Sequence, residues 1–139
     1  MNQYERHRPK KTFYNGRWYK SNMEAKVAES LDKHGVTWEY EPCCFRDSRF
    51  QYGQYTPDFR IPELKAFGQV FIEVCGEYDD FHRNKCETLA HIIHEQGMGA
   101  GVTIVSNTFF GNVAAPFGDI AYFEDRDERT RFLSEVTYD

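Results

Sequence analysis

Apolar residues recur at helical spacing in two long stretches of the chain. The first predicted helix starts at Ser21 or Asn22, whose side chains can cap the first turn, and runs to about His34. Gly35 follows as the C-terminal stop. The apolar positions of this helix are Met23, Val27, Ala28 and Leu31. Their spacing indicates an amphipathic helix that buries one face.

The second predicted helix starts at Asp79 or Asp80 and ends near residues 96–97. Its apolar positions are Phe81, Leu89, Ile92 and Ile93. A shorter helix over 126–136 is predicted after Asp125, whose carboxylate can cap it.

Between the helices, alternating or continuously apolar runs predict β-strands separated by turn residues. The predicted strands cover residues 36–40, 44–46, 55–61, 69–75, 102–105 and 120–123, with loops or turns at 47–54, 63–68 and 108–118. Pro42 and Pro62 end two of these strands. Because a helix connects strand 69–75 to strand 102–105, the two are expected to be parallel, with a right-handed connection. This order predicts an α/β fold whose mixed central sheet is flanked by helices.

Two carboxylates interrupt the apolar pattern of neighbouring predicted strands. Asp58 follows Pro57 at the start of one strand, and Glu73 lies between Ile72 and Val74 in the other. A carboxylate in a buried strand is costly to desolvate unless a positive charge compensates it. Mg²⁺ takes oxygen ligands and often binds through one or two carboxylates together with substrate phosphates. Asp58 and Glu73 are therefore predicted to share a cation.

Each predicted helix also carries a charged residue on its apolar face. Glu24 lies about 20° from Leu31 around the first helix. It either complements the helix dipole in the first turn or belongs to the predicted cation site. Lys85 lies about 20° from Ile92 around the second helix, so it also points inward. The alternative for Lys85 is a stem that passes the edge of the core while the ammonium group reaches solvent.

The two carboxylates stand in short motifs whose order along the chain is informative. Pro57-Asp58 and Glu73-Val74-Cys75 resemble the two halves of the motif of the PD-(D/E)XK nuclease superfamily, which has the restriction-endonuclease-like fold. Cys75 stands where that motif has lysine, and Gly76 follows it. The likeness extends over about residues 20–107. It is greatest with small phage endonucleases that resolve DNA junctions and begin with a glutamate-bearing helix.

The resemblance implies an αβββαβ core and a Mg²⁺- or Mn²⁺-dependent endonuclease that hydrolyses DNA phosphodiester bonds. In such an enzyme Asp58, Glu73 and the backbone carbonyl of Cys75 would hold the metal, and Glu24 would complete the site or orient a water. Lys85 would supply the charge of the missing lysine, since some members of the superfamily carry that lysine on this helix. The implied substrate is branched DNA such as a Holliday junction, although nicking or end processing fits equally well.

The cysteine in the motif keeps a second hypothesis open. A module with the nuclease fold that has lost cleavage would bind DNA or another protein, or inhibit one. Cys75 supports this hypothesis, whereas the inward position of Lys85 supports the enzyme.

Charge is distributed unevenly over the 139 residues. The net charge of −5 argues against a protein that coats DNA nonspecifically. Residues 1–20 nevertheless form a basic and aromatic arm, ahead of a single nuclease-like domain at 21–139. The cations of this arm, which are candidate contacts to DNA phosphates, are Arg6, Arg8, Lys10, Lys11, Arg17 and Lys20. A solvated terminus without a DNA contact is the alternative.

Other features restrict the remaining function classes. The four cysteines lack zinc-site spacing, so we expect free thiols, and His91 and His94 are expected on the surface. No apolar run approaches the roughly 18 residues that span a membrane, and no signal peptide precedes the domain. A cytoplasmic location without a membrane partner is expected. DNA is the expected partner, and a homodimer is left open.

Overall fold

The computed structural model describes residues 10–33, 35–64, 68–77, 79–106 and 110–113. In chain order the described elements are β1 (Thr12–Tyr14), β2 (Arg17–Tyr19), α1 (Asn22–Lys33), β3 (Glu39–Tyr40), β4 (Phe45–Arg46), β5 (Gln54–Tyr55), β6 (Phe59–Leu64), β7 (Gly68–Val74), α2 (Asp80–Glu95), β8 (Ala100–Val105) and β9 (Phe110–Val113). The predicted strand 120–123 and helix 126–136 lie outside the described residues, as do Arg6 and Arg8.

Five of the described strands form a mixed sheet in the order β3-β6-β7-β8-β9. Neighbouring strands in it are antiparallel, except that β7 and β8 run parallel on either side of the α2 connection. Two separate antiparallel pairs are β1–β2 and β4–β5. The predicted α/β class with a mixed sheet is therefore confirmed. The parallel pairing across the second helix is confirmed as well.

Both described helices begin and end close to their predicted positions. Ser21 caps α1, because its Oγ accepts a hydrogen bond from the backbone N–H of Glu24 at 3.1 Å. Gly35 follows α1 with a φ of 68°, a conformation that favours glycine. Asp79 caps α2 by accepting from the N–H of His82 at 2.9 Å. Within the described part of the chain, neither helix is long and apolar enough to cross a membrane.

The predicted strand 55–61 was wrong in its extent. The structure divides it into β5 and β6, with the Pro-Asp pair of the motif between them. It also continues β6 past Pro62, which was predicted to end the strand. The pairing of β6 with β7 shifts register between Ile61 and Leu64. Proline has no N–H to donate to the ladder, and this irregularity accommodates it inside the strand.

The outer strands of the sheet also differ from the prediction. Of the predicted strand 36–40, only Glu39 and Tyr40 form a strand, β3, because only these two residues pair with β6. Conversely, β9 lies within 108–118, which was predicted as a loop, and it pairs with β8. Outer strands have a neighbour on one side only, so their extent depends on pairing that the sequence pattern does not contain.

Residues 12–19, predicted as part of an N-terminal arm, form the β1–β2 hairpin. Its turn is Asn15-Gly16, with φ values of 45° and 85°. Positive φ at both central residues is what a type I′ turn requires. Tyr19 at the end of β2 is buried in the hydrophobic cluster of α1. The hairpin therefore packs on the domain and sets Lys20 directly before α1.

The central sheet separates two hydrophobic clusters. Phe71 belongs to the cluster that contains the buried face of α2, whereas Val70 and Ile72 belong to the cluster of α1. Side chains alternate between the two faces along a strand, so Glu73 shares the α2 face with Phe71. This alternation decides which helix can supply a partner for Glu73.

Candidate functional site

Asp58 and Glu73 lie opposite each other: Glu73 is in β7, and Asp58 directly precedes the neighbouring strand β6. The β6–β7 register pairs Phe59 with Ile72, which places Asp58 opposite Glu73. The backbone N–H of Asp58 donates to the carbonyl of Ile72 at 3.1 Å, so the ladder extends to this pair. Asp58 is 5% exposed and Glu73 is 3% exposed. The two carboxylates are therefore both buried and opposite each other in the register, and the cation they were predicted to share stays a prediction.

Glu73 holds two partners, one on each carboxylate oxygen. The hydroxyl of Tyr55 donates to Oε1 at 2.7 Å. Lys85 of α2 places its Nζ 2.5 Å from Oε2. The same ammonium lies 4.9 Å from the ring centre of Tyr55 and 5.0 Å from that of Phe81. Lys85 thus points inward as predicted, and its head group ends at Glu73 rather than in open solvent.

Asp58 is held by a backbone donor and by a second lysine. The N–H of Val74 donates to Oδ2 at 2.7 Å. Lys20 donates from Nζ to Oδ1 at 3.2 Å. Lys20 was predicted as a phosphate contact of a free arm, but the structure places its ammonium against this carboxylate.

Glu24 belongs to the same network through Lys20. Its Oε1 accepts from the hydroxyl of Tyr40 at 2.6 Å and from the backbone N–H of Lys20 at 3.0 Å. The ammonium of Lys20 lies 3.8 Å from Oε2. Because Lys20 also contacts Asp58, it bridges these two carboxylates. Glu24 is 4% exposed, as expected for an acid on the apolar face of α1.

Burial, and after it the neighbouring charges, shift the pKa values of these residues. Burial and then the charge of Asp58 raise the pKa of Glu73 from about 4.5 to about 7, against the opposing effect of Lys85. Burial also raises the pKa of Glu24, and Asp58 adds to that effect. Burial acts to lower the pKa of Lys20, but Asp58 and Glu24 raise it above its usual value. Asp58 therefore influences both of the other acids.

Cys75, which stands in the position of the motif lysine, is buried directly after β7. Its backbone N–H donates to the carbonyl of Val105 at 3.0 Å. Burial, followed by the charge of Glu73, raises the pKa of its thiol to about 12. A thiol held neutral in this way is a poor nucleophile. Residues two apart on a strand share a face, so a longer side chain at this position would point toward Glu73 and Lys85.

The donor chemistry of the site suits a hard divalent cation. Asp58 and Glu73 present carboxylate oxygens side by side, and such oxygens are the usual ligands of Mg²⁺. Among the described residues, however, no group of three or more histidines, cysteines or acids is placed to hold a metal ion. The acids instead have hydrogen-bond donors and two lysine ammonium groups as partners. The oxygens of the two acids therefore suit a cation by their chemistry, and in this structure two lysine ammonium groups contact them.

Sequence reasoning missed three members of the site. Tyr40 and Tyr55 were assigned to strands without a polar role, yet their hydroxyls orient Glu24 and Glu73. Lys20 was assigned to the arm. The Asn15-Gly16 pair is a strong hairpin signal and could have placed Lys20 beside α1.

The other predicted DNA contacts that the structure describes are exposed cations. Lys10 and Lys11 are exposed, and Arg17 lies over the rings of Trp38 and Tyr40, at 5.9 Å and 5.7 Å from their centres. The side chains of His91 and His94 are exposed, as predicted. All four cysteines are free thiols, as predicted, with Cys43 and Cys44 exposed and Cys75 and Cys86 buried.

Comparison with protein-family models, with curated proteins and with solved structures gives no match.

Proposed function

We propose that this chain is a metal-dependent DNA endonuclease of the PD-(D/E)XK type, with a restriction-endonuclease-like core. The observation that carries the proposal is the buried pair of Asp58 and Glu73, in which Asp58 contacts Lys20, before α1, and Glu73 contacts Lys85, on α2. The order α1-β3-β6-β7-α2-β8 is compatible with an αβββαβ core. Glu73 lies in β7 and Asp58 immediately precedes β6, which agrees with the order of the two motif halves along the chain.

The cofactor that fits the site is Mg²⁺ or Mn²⁺. Asp58 and Glu73 would hold it, with the backbone carbonyl of Cys75 and with Glu24 as further members of the site. When bound, such an ion lowers the pKa of a coordinated water and stabilises charge on a phosphate. A divalent cation would also offset the excess of acids over lysines among these residues.

The chain's own residues orient the two acids before any ligand arrives. Val74 fixes one oxygen of Asp58 through its N–H, and Tyr55 fixes one oxygen of Glu73 through its hydroxyl. Each acid keeps its second oxygen on a lysine ammonium group, which a stronger cation can displace. A site whose acids are already oriented loses less conformational entropy when it binds.

Lys85 is the proposed substitute for the motif lysine. Its ammonium group reaches Glu73 from α2 and lies on the face of β7 from which a lysine at position 75 would point. In this position it can stabilise the negative charge that builds on the phosphate in the transition state. Phage-type resolution of branched DNA remains the proposed activity, with nicking or end processing as further reactions of the same site.

A second candidate is a nuclease-fold module that binds DNA or protein, or inhibits a partner, without cleaving. The observation that favours it is Cys75, which leaves the motif position with a buried neutral thiol. In this case the lysines would neutralise the acids permanently, and no metal would be needed.

Charge-removing substitutions of the two acids test the enzyme. Asp58→Asn and Glu73→Gln keep the shape of each side chain, so we expect the fold to persist while Mg²⁺-dependent cleavage falls by about a hundredfold or more. The measurement is cleavage of a four-way junction and of linear duplex DNA. Glu63→Gln is the matched control, because Glu63 is an exposed acid on β6 that lies outside the site.

The outcomes separate the two candidates. Cleavage by the wild type and by Glu63→Gln, but not by the two site variants, supports the enzyme. Cleavage at the wild-type rate by either site variant contradicts the metal-site assignment. Binding of DNA without cleavage by any of the four proteins supports the second candidate.

A further inference from the structure

A surface recess lies beside the Glu73–Lys85 pair. It has a volume of about 390 Å³ and opens between the 49–54 segment and the first half of α2. Pockets of roughly 300–1,000 Å³ are typical of small-ligand sites. Lys85 lines this recess and also pairs with Glu73, so the recess adjoins the candidate site directly.

Two exposed aromatic residues belong to its wall. Tyr52 is 77% exposed and Phe81 is 43% exposed, which is unusual for large rings. The wall also contains side-chain amides, which both donate and accept hydrogen bonds. These amides belong to Gln51, Gln54 and Asn84. Flat apolar faces beside amide groups suit a planar ring whose edge carries donors and acceptors.

The charges around the recess favour a neutral ring over a phosphate. Its lining contains Arg49 and Lys85 but no acid. Both cations already have anionic partners, since Arg49 contacts Asp47 and Glu95. An anion inside the recess would therefore gain little from Arg49, which already has two carboxylate partners. A second pocket, near Arg17, differs in charge from this recess. The wall of that pocket includes three acids, Asp32, Glu39 and Glu41.

The segment that carries Tyr52 is held in place before any ligand binds. Arg49 donates from both terminal nitrogens to Glu95 at 2.8 Å and from Nε to Asp47 at 2.9 Å. Phe50 is buried against Tyr55, with ring centres 5.5 Å apart. The ring of Tyr52 is thus displayed by an anchored segment, which reduces the entropy lost on stacking.

We propose that this recess binds an unpaired nucleobase of a nucleic-acid strand whose phosphate lies at the Glu73–Lys85 pair. Tyr52 and Phe81 stack on the base, and the neighbouring amides contact its edge. The inference rests on the proposed function, which it deepens by assigning the substrate class: DNA with unpaired bases, as at a flap, an overhang or an open junction. Paired bases in a duplex cannot enter, because their faces are stacked on neighbours.

Binding without divalent cations tests this inference separately from cleavage. The probes are a fluorescent duplex with a short single-stranded overhang and a blunt duplex of equal length, both measured by anisotropy in EDTA. We expect the wild type to bind the overhang DNA more tightly. Tyr52→Ala and Phe81→Ala should each weaken that binding by about 5- to 150-fold, which is the range for the loss of one base–aromatic stack. Blunt-duplex affinity should change little.

Two control variants define the comparison. Tyr52→Phe keeps the ring and should keep the preference for the overhang. His91→Ala removes an exposed ring of α2 that does not line the recess, and it should also keep the preference. A 2-aminopurine in the overhang should lose fluorescence on binding to the wild type, because stacking quenches it, and should lose less on binding to Tyr52→Ala.

The result that overturns the inference is equal affinity of the wild type for both probes, or equal losses on both probes in the alanine variants. Suppose that the wild type prefers the overhang DNA, that the alanine variants lose this preference, and that no protein cleaves DNA. The base-binding recess is then supported and the proposed enzyme is contradicted. If the wild type cleaves DNA and the alanine variants bind the overhang DNA as tightly as the wild type, the proposed enzyme is supported and the base-binding recess is contradicted.

Discussion

At the scale of single residues, the site has an imbalance of charge. Three buried acids, Glu24, Asp58 and Glu73, face two lysines, Lys20 and Lys85. Because Lys20 is shared by Glu24 and Asp58, these five side chains carry one net negative charge when all are ionised. Burial and the charge of Asp58 raise the pKa of Glu73 to about 7, so a proton at Glu73 can restore the balance near neutral pH. A divalent cation bound at the proposed site would do the same, so proton and metal would compete there.

The raised pKa of Glu73 has a consequence for stability. Because the pKa is about 7 in the folded chain and about 4.5 ordinarily, folding binds a proton between these values. Stability from this group is therefore present below about pH 4.5 and is lost as the pH rises to about 7, by up to about 3 kcal/mol. Glu24 acts in the same direction. We expect the unfolding free energy of the wild type to fall between pH 5 and pH 8.

Glu73→Gln isolates this contribution. The amide cannot titrate, so the variant should lose less stability over the same interval and should exceed the wild type most at pH 8. The measurement is urea unfolding at both pH values in EDTA. Asp47, Asp79 and Glu95 have lowered pKa values, but their effects lie below about pH 4.5 and do not enter the comparison. Parallel pH profiles for the two proteins would contradict the raised pKa.

Lys85 and Cys75 together decide whether the motif charge has moved to α2. If it has, Lys85→Ala should lower the cleavage rate by about 10²–10³ with a smaller change in DNA affinity, because the charge acts mainly in the transition state. Cys75→Lys should add little to the wild type. In the Lys85→Ala background it should partly restore cleavage, since position 75 shares a strand face with Glu73. Single-turnover cleavage of a four-way junction measures all four proteins.

The same set of proteins gives the opposite pattern for a module that has lost cleavage. Lys85→Ala would then change nothing catalytic, and Cys75→Lys could create activity where the wild type has none. Circular dichroism should accompany the assay, because a lysine at buried position 75 introduces a second ammonium group near Lys85.

At the scale of elements, the bounds of long periodic segments were predictable and the bounds of short paired strands were not. α1 and α2 have apolar stripes, capping residues and terminal glycines, so their ends follow from local chemistry. β7 was predictable because it is apolar apart from Glu73. By contrast, β3, β4 and β5 are two residues long each, and pairing with a partner strand defines them.

Four charged residues of the site were predictable from the sequence. Asp58, Glu73, Glu24 and Lys85 are charged residues in apolar patterns, and that conflict marks them in the sequence. The roles of Tyr40 and Tyr55 follow no such signal, because tyrosine is common in strands and its hydroxyl partner is set by tertiary packing.

The β1–β2 hairpin changes how the basic N-terminal segment should be tested. Deleting residues 1–18 would remove β1 and most of β2, and would disturb the position of Lys20. Lys10→Gln with Lys11→Gln removes two exposed charges and leaves the hairpin intact. If these lysines contact phosphates, the slope of log affinity against log salt should fall by about 0.9 for each contact on duplex DNA.

Titration of duplex binding at several salt concentrations measures this slope. Lys26→Gln is the matched control, because Lys26 is exposed on α1 and lies outside the hairpin. An unchanged slope in the double variant would assign both lysines to a solvated segment without a DNA contact.

At the scale of the whole molecule, the sheet joins two otherwise separate halves of the site. Glu24 and Lys20 belong to the α1 side, whereas Glu73 and Lys85 lie on the α2 face. Asp58 connects them, because it contacts Lys20 and lies opposite Glu73 in the β6–β7 register. A ligand that satisfies Asp58 and Glu73 together would therefore stabilise both layers of the fold at once.

This coupling predicts that divalent cations stabilise the folded chain. A ligand that binds only the folded state adds about 2.7 kcal/mol at a hundredfold excess over its Kd. We expect Mn²⁺ or Mg²⁺ to raise the Tm of the wild type by several degrees, since 1 kcal/mol corresponds to roughly 2–8 °C for domains near this size. Asp58→Asn and Glu73→Gln should lose most of the rise, because each removes one of the paired anions.

Thermal unfolding with and without the cation, at matched ionic strength, measures the effect. Glu63→Gln should respond as the wild type does, because its exposed carboxylate lies outside the site. The two site variants should already be at least as stable as the wild type without metal, since removing either charge relieves repulsion within the pair. If neither cation changes the Tm of the wild type, the acids are neutralised by the lysines alone, as expected for the module that does not cleave. A rise that persists in both site variants would instead place the metal elsewhere on the chain.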